Sequence, residues 1–298
     1  MMRSIPLLIR LAPAILLTAR LPVSLSRPQE SAVVFKTDVR IVEVYAMVQD
    51  SRGRYVEGLQ PSQFEIRDNG ELQPITSFEP IATGFDCAIL LDSTGSMESA
   101  MPALKAAVLQ LIDAFRDQDR FAVYTFNTTL RRMQDYSRDK ASAKQAVLRI
   151  MPRGGTALFD SLSGVAADLA KRKGKKAIIA FTDGQDNSSY LHSTAVIAQG
   201  KSLGIAIYAL AQGEALAAPQ LFQTLKAIAR ATGGQAYEVR NSSQVSRVFS
   251  EISDDLRHAY MLTYAAPPAY NGDWHSIQVT VKGVQAVQVR AREGYFPK

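Results

Sequence analysis

The chain has 298 residues, 47% of them apolar and 21% charged, the proportions of an ordinary globular protein, which exclude a disordered or collagen-like chain. The formal net charge is +6; leaving out Arg3, Arg10, Arg20, Arg27 and Glu30, which fall in a segment expected to be removed, 30 of the 34 basic residues face 27 of the 28 acidic ones. An excess that small does not make nucleic acid or an anionic membrane the main partner.

Residues 1–30 carry an early arginine, an apolar stretch interrupted by Arg10, and then small residues, the layout of a secretory signal cleaved after Ser26. The apolar run Leu11–Ala19 is too short for the roughly 20 residues that a helix needs to cross a bilayer. The expectation is an exported chain, secreted or held in the periplasm or cell envelope, with no stable membrane span after maturation. Cys87 is the single cysteine, so no intramolecular disulfide can form, and its apolar surroundings read as inert core.

Residues 31–82 read as an N-terminal β segment. "VRIVEVYAMVQD" alternates as a strand does, "SRGR" punctuates, and "FEIRDNGELQPITSFE" is strand, Asp-Asn-Gly turn, strand. Over residues 83–257 the rhythm becomes strand then helix, repeated. "CAILLD" leads into "MESAMPALKAAVLQLIDAFRD", whose Met101, Leu104, Val108, Leu111 and Phe115 recur at three and four. "RFAVYTF", a turn at Asn127, helices near 140–150 and 157–171, the strand "KAIIAFTD", a helix over 194–203, "GIAIYALAQ", a helix over 220–231, "QAYEVR" and the helix "SQVSRVFSEISDDL" follow. Strands apolar throughout, alternating with helices, predict a doubly wound, mostly parallel sheet covered on both faces. Residues 258–298 return to strands, "HAYMLTYAA", "HSIQVTVKG" and "AVQVRAREGYF". Too few strands stand at either end to bury a core alone, so the two ends are expected to form one β-sandwich beside the α/β domain. The run Lys171–Lys176 reads as a solvated helix end.

In such a sheet ligands sit beyond the carboxyl ends of the strands. Three polar loops fall there: Asp92, Thr94 and Ser96 after "AILL"; Thr156 in "RGGTALFD"; and Asp183 in "FTDGQDNSS". Every one of these side chains is a hard oxygen ligand, a chemistry that selects Mg²⁺, with Mn²⁺ or Ca²⁺ as alternatives, over zinc or copper. Only two of the five are anions, so a cation there keeps the capacity for one further carboxylate from outside. Asp186 and Asn187 are taken as solvated loop beside the site.

These residues resemble the von Willebrand factor type A domain and its metal-ion-dependent adhesion site: "DSTGS" matches the family's Asp-x-Ser-x-Ser loop, Thr156 in "GGT" its lone threonine, and Asp183 in "TDG" its later aspartate. The resemblance implies a Rossmann-like fold and direct metal contacts from Thr94, Ser96 and Thr156, with Asp92 and Asp183 binding directly or through water. Thr94 departs from the family's middle serine by one methyl. The flanking segments are similar to a group of exported bacterial proteins related to von Willebrand factor A. The implied activity is protein–protein adhesion through the acidic residue of an unidentified partner, without enzymatic turnover.

Two other readings stand beside it: a metal-assisted hydrolase of phosphate or ester substrates, and a structural envelope module with a vacant site. A serine nucleophile needs Gly-x-Ser-x-Gly and a histidine base; here the context is "TGSME", and the three histidines, His192, His258 and His275, read as a loop or cap residue and two residues of the terminal β region.

Overall fold

The computed structural model of the protein describes residues 40–79, 84–267 and 273–296. The expected leader at 1–30, residues 31–39 of the N-terminal β segment and residues 80–83 at its junction lie outside the described residues. The chain runs through β1 (Ile41–Gln49), a short 3-10 turn, β2 (Phe64–Asp68), β3 (Glu71–Gln73) and β4 (Ser77–Glu79). β2 and β3 form a two-residue hairpin, with Asp68 opposite Glu71. Its centre needs a left-handed backbone at both positions, and Asn69 (φ 51°) and Gly70 (φ 88°) supply it.

The α/β part follows as β5 (Asp86–Asp92), α1 (Met101–Ala114), β6 (Arg120–Phe126), β7 (Leu130–Ser137), α2 (Lys140–Leu148), α3 (Leu158–Leu169), β8 (Lys176–Thr182), α4 (Ser193–Leu203), β9 (Ala206–Ala211), α5 (Glu214–Ala217), α6 (Pro219–Ala231), β10 (Ala236–Glu238) and α7 (Ser242–Arg257). Its sheet has the order β10-β9-β8-β5-β6-β7. All pairs are parallel except β6 with β7. The central strands β5, β6, β8 and β9 are apolar over most of their length because each feeds two cores. Cys87, Ile89, Leu91, Ile179 and Phe181 face α1, α2 and α7, while Ala88, Leu90, Ile178 and Ala180 face α3, α4 and α6. Each leucine, isoleucine or phenylalanine among them stabilises the fold by roughly 1.5–3 kcal/mol when fully buried.

Three local departures from the sequence reading have physical reasons. The segment 130–137 is a strand without the apolar pattern that predicts one, because "LRRMQDYS" is charged and half-exposed, as an edge strand that resists further pairing tends to be. The four-residue α5 is equally too short to show a period. Lys175, expected in a solvated run, is buried; its Nζ donates to the carbonyls of Leu256 and Ala259 at 2.9 and 3.0 Å, closing the carboxyl end of α7.

After α7 come β11 (Ala259–Ala265), β12 (His275–Val281), β13 (Gln288–Arg290) and β14 (Gly294–Tyr295). They interleave with the N-terminal strands in two sheets, β13-β1-β11-β4 and β14-β12-β2-β3. Val44, Ala46, Phe64, Ile66, Tyr260, Leu262 and Tyr264 fill the common core, so the sandwich contains strands from both ends of the chain. Asp68 on β2 is buried there, accepting from His275 Nδ1 at 2.6 Å and from the hydroxyls of Tyr264 and Tyr295 at 2.8 Å each. Cys87 is buried and unpaired. Among the described residues no helix is long and apolar enough to cross a membrane.

Candidate metal centre

The winding of the sheet reverses at β5, which has β6 on one side and β8 on the other. The crevice beyond the carboxyl ends of β5 and β8 is therefore the place where loops diverge and a ligand can enter. Parallel pairing in register from Asp86↔Lys176 to Leu91↔Phe181 brings Asp92 beside Thr182, whose hydroxyl donates to Asp92 Oδ2 at 2.9 Å. The Thr94 N–H donates to Asp92 Oδ1 at 3.0 Å. Both oxygens of that carboxylate are thus held by donors before any ligand arrives. The chain then turns through the 3-10 segment Gly95–Met97, which points Ser96 back across the crevice.

There Ser96 Oγ donates to Asp183 Oδ2 at 2.6 Å, and Thr94 Oγ1 lies 3.0 Å from Ser96 Oγ. With the Ser96 proton on Asp183, Thr94 is the donor in the second bond. The Gln185 N–H donates to Asp183 Oδ1 at 3.1 Å, and the Gly184 N–H to the Thr182 hydroxyl at 3.1 Å. Asp92, Thr94, Ser96 and Asp183 accordingly form one connected polar set.

Thr156 arrives by backbone. The Arg153 N–H donates to the Ser93 carbonyl at 2.8 Å and the Gly95 N–H to the Gly154 carbonyl at 3.1 Å, so the threonine loop lies against the Asp92 loop. Gly155 is the close approach: a Cβ there would sit 2.8 Å from Ser188 Oγ and 2.9 Å from Asn187 Oδ1. Asn187 Oδ1 accepts from the Thr156 N–H at 2.9 Å, and the Thr156 carbonyl accepts from the N–H groups of Asn187 and Ser188 at 3.0 and 2.9 Å. Thr156 is buried between the two loops.

Asp186 and Asn187, taken as solvated loop from the sequence, therefore organise the rim. Asp186 accepts from the Phe159 N–H at the start of α3 and from Ser189. Thr182, the second support of Asp92, escaped the sequence reading altogether. A threonine ending an apolar strand resembles any strand residue until its neighbour across the ladder is known.

The electrostatics separate this centre from the rest of the interior. Five aspartates are buried among the described residues: Asp68, Asp92, Asp119, Asp183 and Asp255. Asp119 is met by Arg257 at 2.7 Å, Asp255 by Arg290, and Asp68 by His275. Among the described residues neither Asp92 nor Asp183 forms an ion pair, and they have each other as neighbours. Burial pushes the Asp92 carboxyl up to about 6; the donors Thr94 and Thr182 oppose that rise, and the nearby Asp183 carboxylate adds to it. No three His, Cys, Asp or Glu side chains cluster to hold a metal by themselves among the described residues. Any cation here draws on the hydroxyls as well, and two carboxylates with three hydroxyls form an all-oxygen set that suits Mg²⁺, Mn²⁺ or Ca²⁺.

The histidines are engaged elsewhere. His192 precedes α4, His258 meets the Glu57 carboxylate through Nε2 and the Asp254 backbone carbonyl through Nδ1, and His275 lies in the sandwich on Asp68. Ser96 gives its proton to a carboxylate, and no histidine base stands beside it.

Comparison with known proteins bears on the fold and family of the chain. A structure of a von Willebrand factor type A protein from Catenulispora acidiphila is similar with a TM-score of 0.51 and 15% identity, over 86% of this chain and 73% of that one. An aerotolerance-related membrane protein of Bacteroides fragilis is similar with a TM-score of 0.50 and 19% identity, over 58% of this chain and 98% of that one. These likenesses concern the fold. An uncharacterized protein of Synechocystis sp. is 26% identical over 196 residues, which is 61% of this chain and 45% of that protein, so the match spans less than half of the relative's length. Residues 86–251, more than half of the chain, match the von Willebrand factor type A domain, and the chain belongs to that family.

Proposed function

We propose that the chain is a non-enzymatic, metal-dependent protein-binding module whose α/β part carries a metal-ion-dependent adhesion site. Asp92, Thr94, Ser96, Thr156 and Asp183 would hold a hard divalent cation, Mg²⁺ foremost, with Mn²⁺ or Ca²⁺ as alternatives. When bound, the cation supplies an outward position for a glutamate or aspartate carboxylate of a partner protein. The chain's own residues do the rest. Thr182 and the Thr94 N–H fix the Asp92 carboxylate, Ser96 is oriented by Asp183, and Asn187 keeps Thr156 in place. Such outer supports set ligand orientation and typically govern metal affinity by 10–100-fold.

One observation carries the reading: of the five buried aspartates among the described residues, the two that form no ion pair there are the two at the crevice. Buried charges are paired or bind metal, because an isolated one is too costly to desolvate. The leader-like residues 1–30 favour action outside the cytoplasmic membrane, in the manner of the exported bacterial group that the flanks resemble. The sandwich serves in this reading as the carrier of residues 83–257.

Titration calorimetry tests the centre directly. Mg²⁺ and Mn²⁺ should give saturable heat with the wild-type protein and none with Asp92→Ala. Equal heats for the two proteins would end the proposal.

A further inference from the structure

The rim of the centre holds an aromatic side chain in open solvent, on a loop that has almost no freedom. Five consecutive N–H groups, from Asn187 to Leu191, are all engaged. Those of Asn187 and Ser188 donate to the Thr156 carbonyl, that of Ser189 to Asp186, and those of Tyr190 and Leu191 to the two oxygens of Asp160 at 3.0 and 2.9 Å. In return, Ser189 Oγ accepts from the Asp160 N–H at 3.0 Å and Asp186 from the Phe159 N–H at 2.9 Å. An irregular loop is thereby clamped to the first turn of α3, the same turn that follows Thr156. At its end Tyr190 is 95% exposed, with Leu191 37% exposed beside it.

Exposed tyrosines on rigid loops are efficient binding anchors. They offer a large amphipathic surface, and the ordering cost of the loop has been met before the partner arrives. The position is informative too. Asn187 touches Thr156, and three residues of chain reach at most about 11 Å, so Tyr190 stands within a short peptide's length of the cation position. Arg153, exposed and without an ion pair among the described residues, has its backbone pinned to Ser93 on the Asp92 loop, which sets a basic residue next to that loop.

We propose that Tyr190, with Leu191, is the specificity contact of the centre. The partner presents an extended acidic segment whose carboxylate enters the cation position, while an aromatic or aliphatic side chain two to four residues away lies on Tyr190. The spacing follows from about 3.3–3.6 Å of reach per extended residue. This inference rests on the cation reading, and the experiment keeps the two apart.

A displayed random-peptide library is selected on the Mg²⁺-loaded full chain and eluted with chelator, and the recovered peptides are titrated against variants. Recovered sequences should pair an Asp or Glu with an apolar residue at the stated spacing. Tyr190→Ala should weaken them about tenfold or more, as loss of an interface anchor does, while Tyr190→Phe stays within about twofold; Asp92→Ala should abolish binding. Thermal midpoints of the Tyr190 variants should match the wild type, since the ring packs on nothing that the fold needs. Chelator-sensitive peptides bound equally by Tyr190→Ala would overturn the rim contact and leave the cation reading standing. Peptides indifferent to chelator and to Asp92→Ala, or no chelator-eluted peptide at all, would overturn both.

Discussion

A direct consequence of two unpaired aspartates is that removing the charge of one should cost the metal-free protein little, whereas removing the charge of a paired one should cost a great deal. Asp119 and Asp92 are both fully buried. Asp119 accepts from Arg257 Nη2 at 2.7 Å and from the Arg116 N–H at 2.8 Å, and Arg257 is itself buried, with Phe85 under its guanidinium at 5.2 Å. Asp119→Asn strands that guanidinium without a counter-charge, a loss of about 3–5 kcal/mol. Asp92→Asn removes one of two neighbouring like charges; the amide oxygen keeps one acceptor bond, and the Thr182 hydroxyl can rotate to accept from the amide. The net change should lie within about 1 kcal/mol of zero, and can favour the variant. Urea unfolding of wild type and both variants, in chelator at pH 7.5, compares them on one scale. Added Mg²⁺ should then stabilise the wild type by about 2.7 kcal/mol at a concentration one hundred times its Kd, and leave Asp92→Asn unmoved. If Asp92→Asn proves as damaging as Asp119→Asn without metal, the Asp92 charge is already compensated within the protein and the reason for a cation disappears.

Gly155→Ala places a methyl against Asn187 Oδ1 and Ser188 Oγ, which displaces the support of Thr156; Mg²⁺ affinity by calorimetry should drop about tenfold with the circular dichroism spectrum unchanged, and an unchanged affinity would remove Thr156 from the ligand set. Burial lowers Lys175 from 10.5 to about 8, with Arg257 acting in the same direction. Its folded pKa lies below its unfolded one, so its contribution is present above about pH 10.5 and lost as pH falls through 8. Stability should therefore rise by about 2 kcal/mol between pH 8 and pH 10, and in Lys175→Met, whatever its absolute stability, that rise should vanish from the urea titrations. An identical slope in the variant would mean that the ammonium is solvated in the folded state.

The parts of the fold that could be read from the chain are those in which a local pattern reports a global position. β5, β6, β8 and β9 are apolar on both faces because helices cover both faces, and that burial is visible in the letters themselves. β7 was hidden because an edge strand is half-solvated and its "LRRMQDYS" carries the polarity of a loop. Lys175 was hidden for the opposite reason: it belongs to a basic run, and only the docking of the α7 end over it makes it interior. At the centre, the oxygen donors were legible as residue types after strands, and Asp92, Thr94, Ser96 and Asp183 do meet. Their supports were not. Thr182 depends on strand register, and Asn187 and Asp186 on a loop folding back to α3. That Asp92 and Asp183 form no ion pair among the described residues depends on where distant Arg and Lys side chains end up, and no short motif contains it.

The interleaving of N- and C-terminal strands in the sandwich has a mechanical consequence. β1 lies between β11 and β13, and β12 between β2 and β14, so tension applied along the polypeptide is taken up as strain between those neighbouring strands. The α/β part is inserted between β4 and β11, which are themselves hydrogen-bonded neighbours in one sheet. A pull between β1 and β14 therefore runs through the sandwich strands and passes by the inserted residues 86–257.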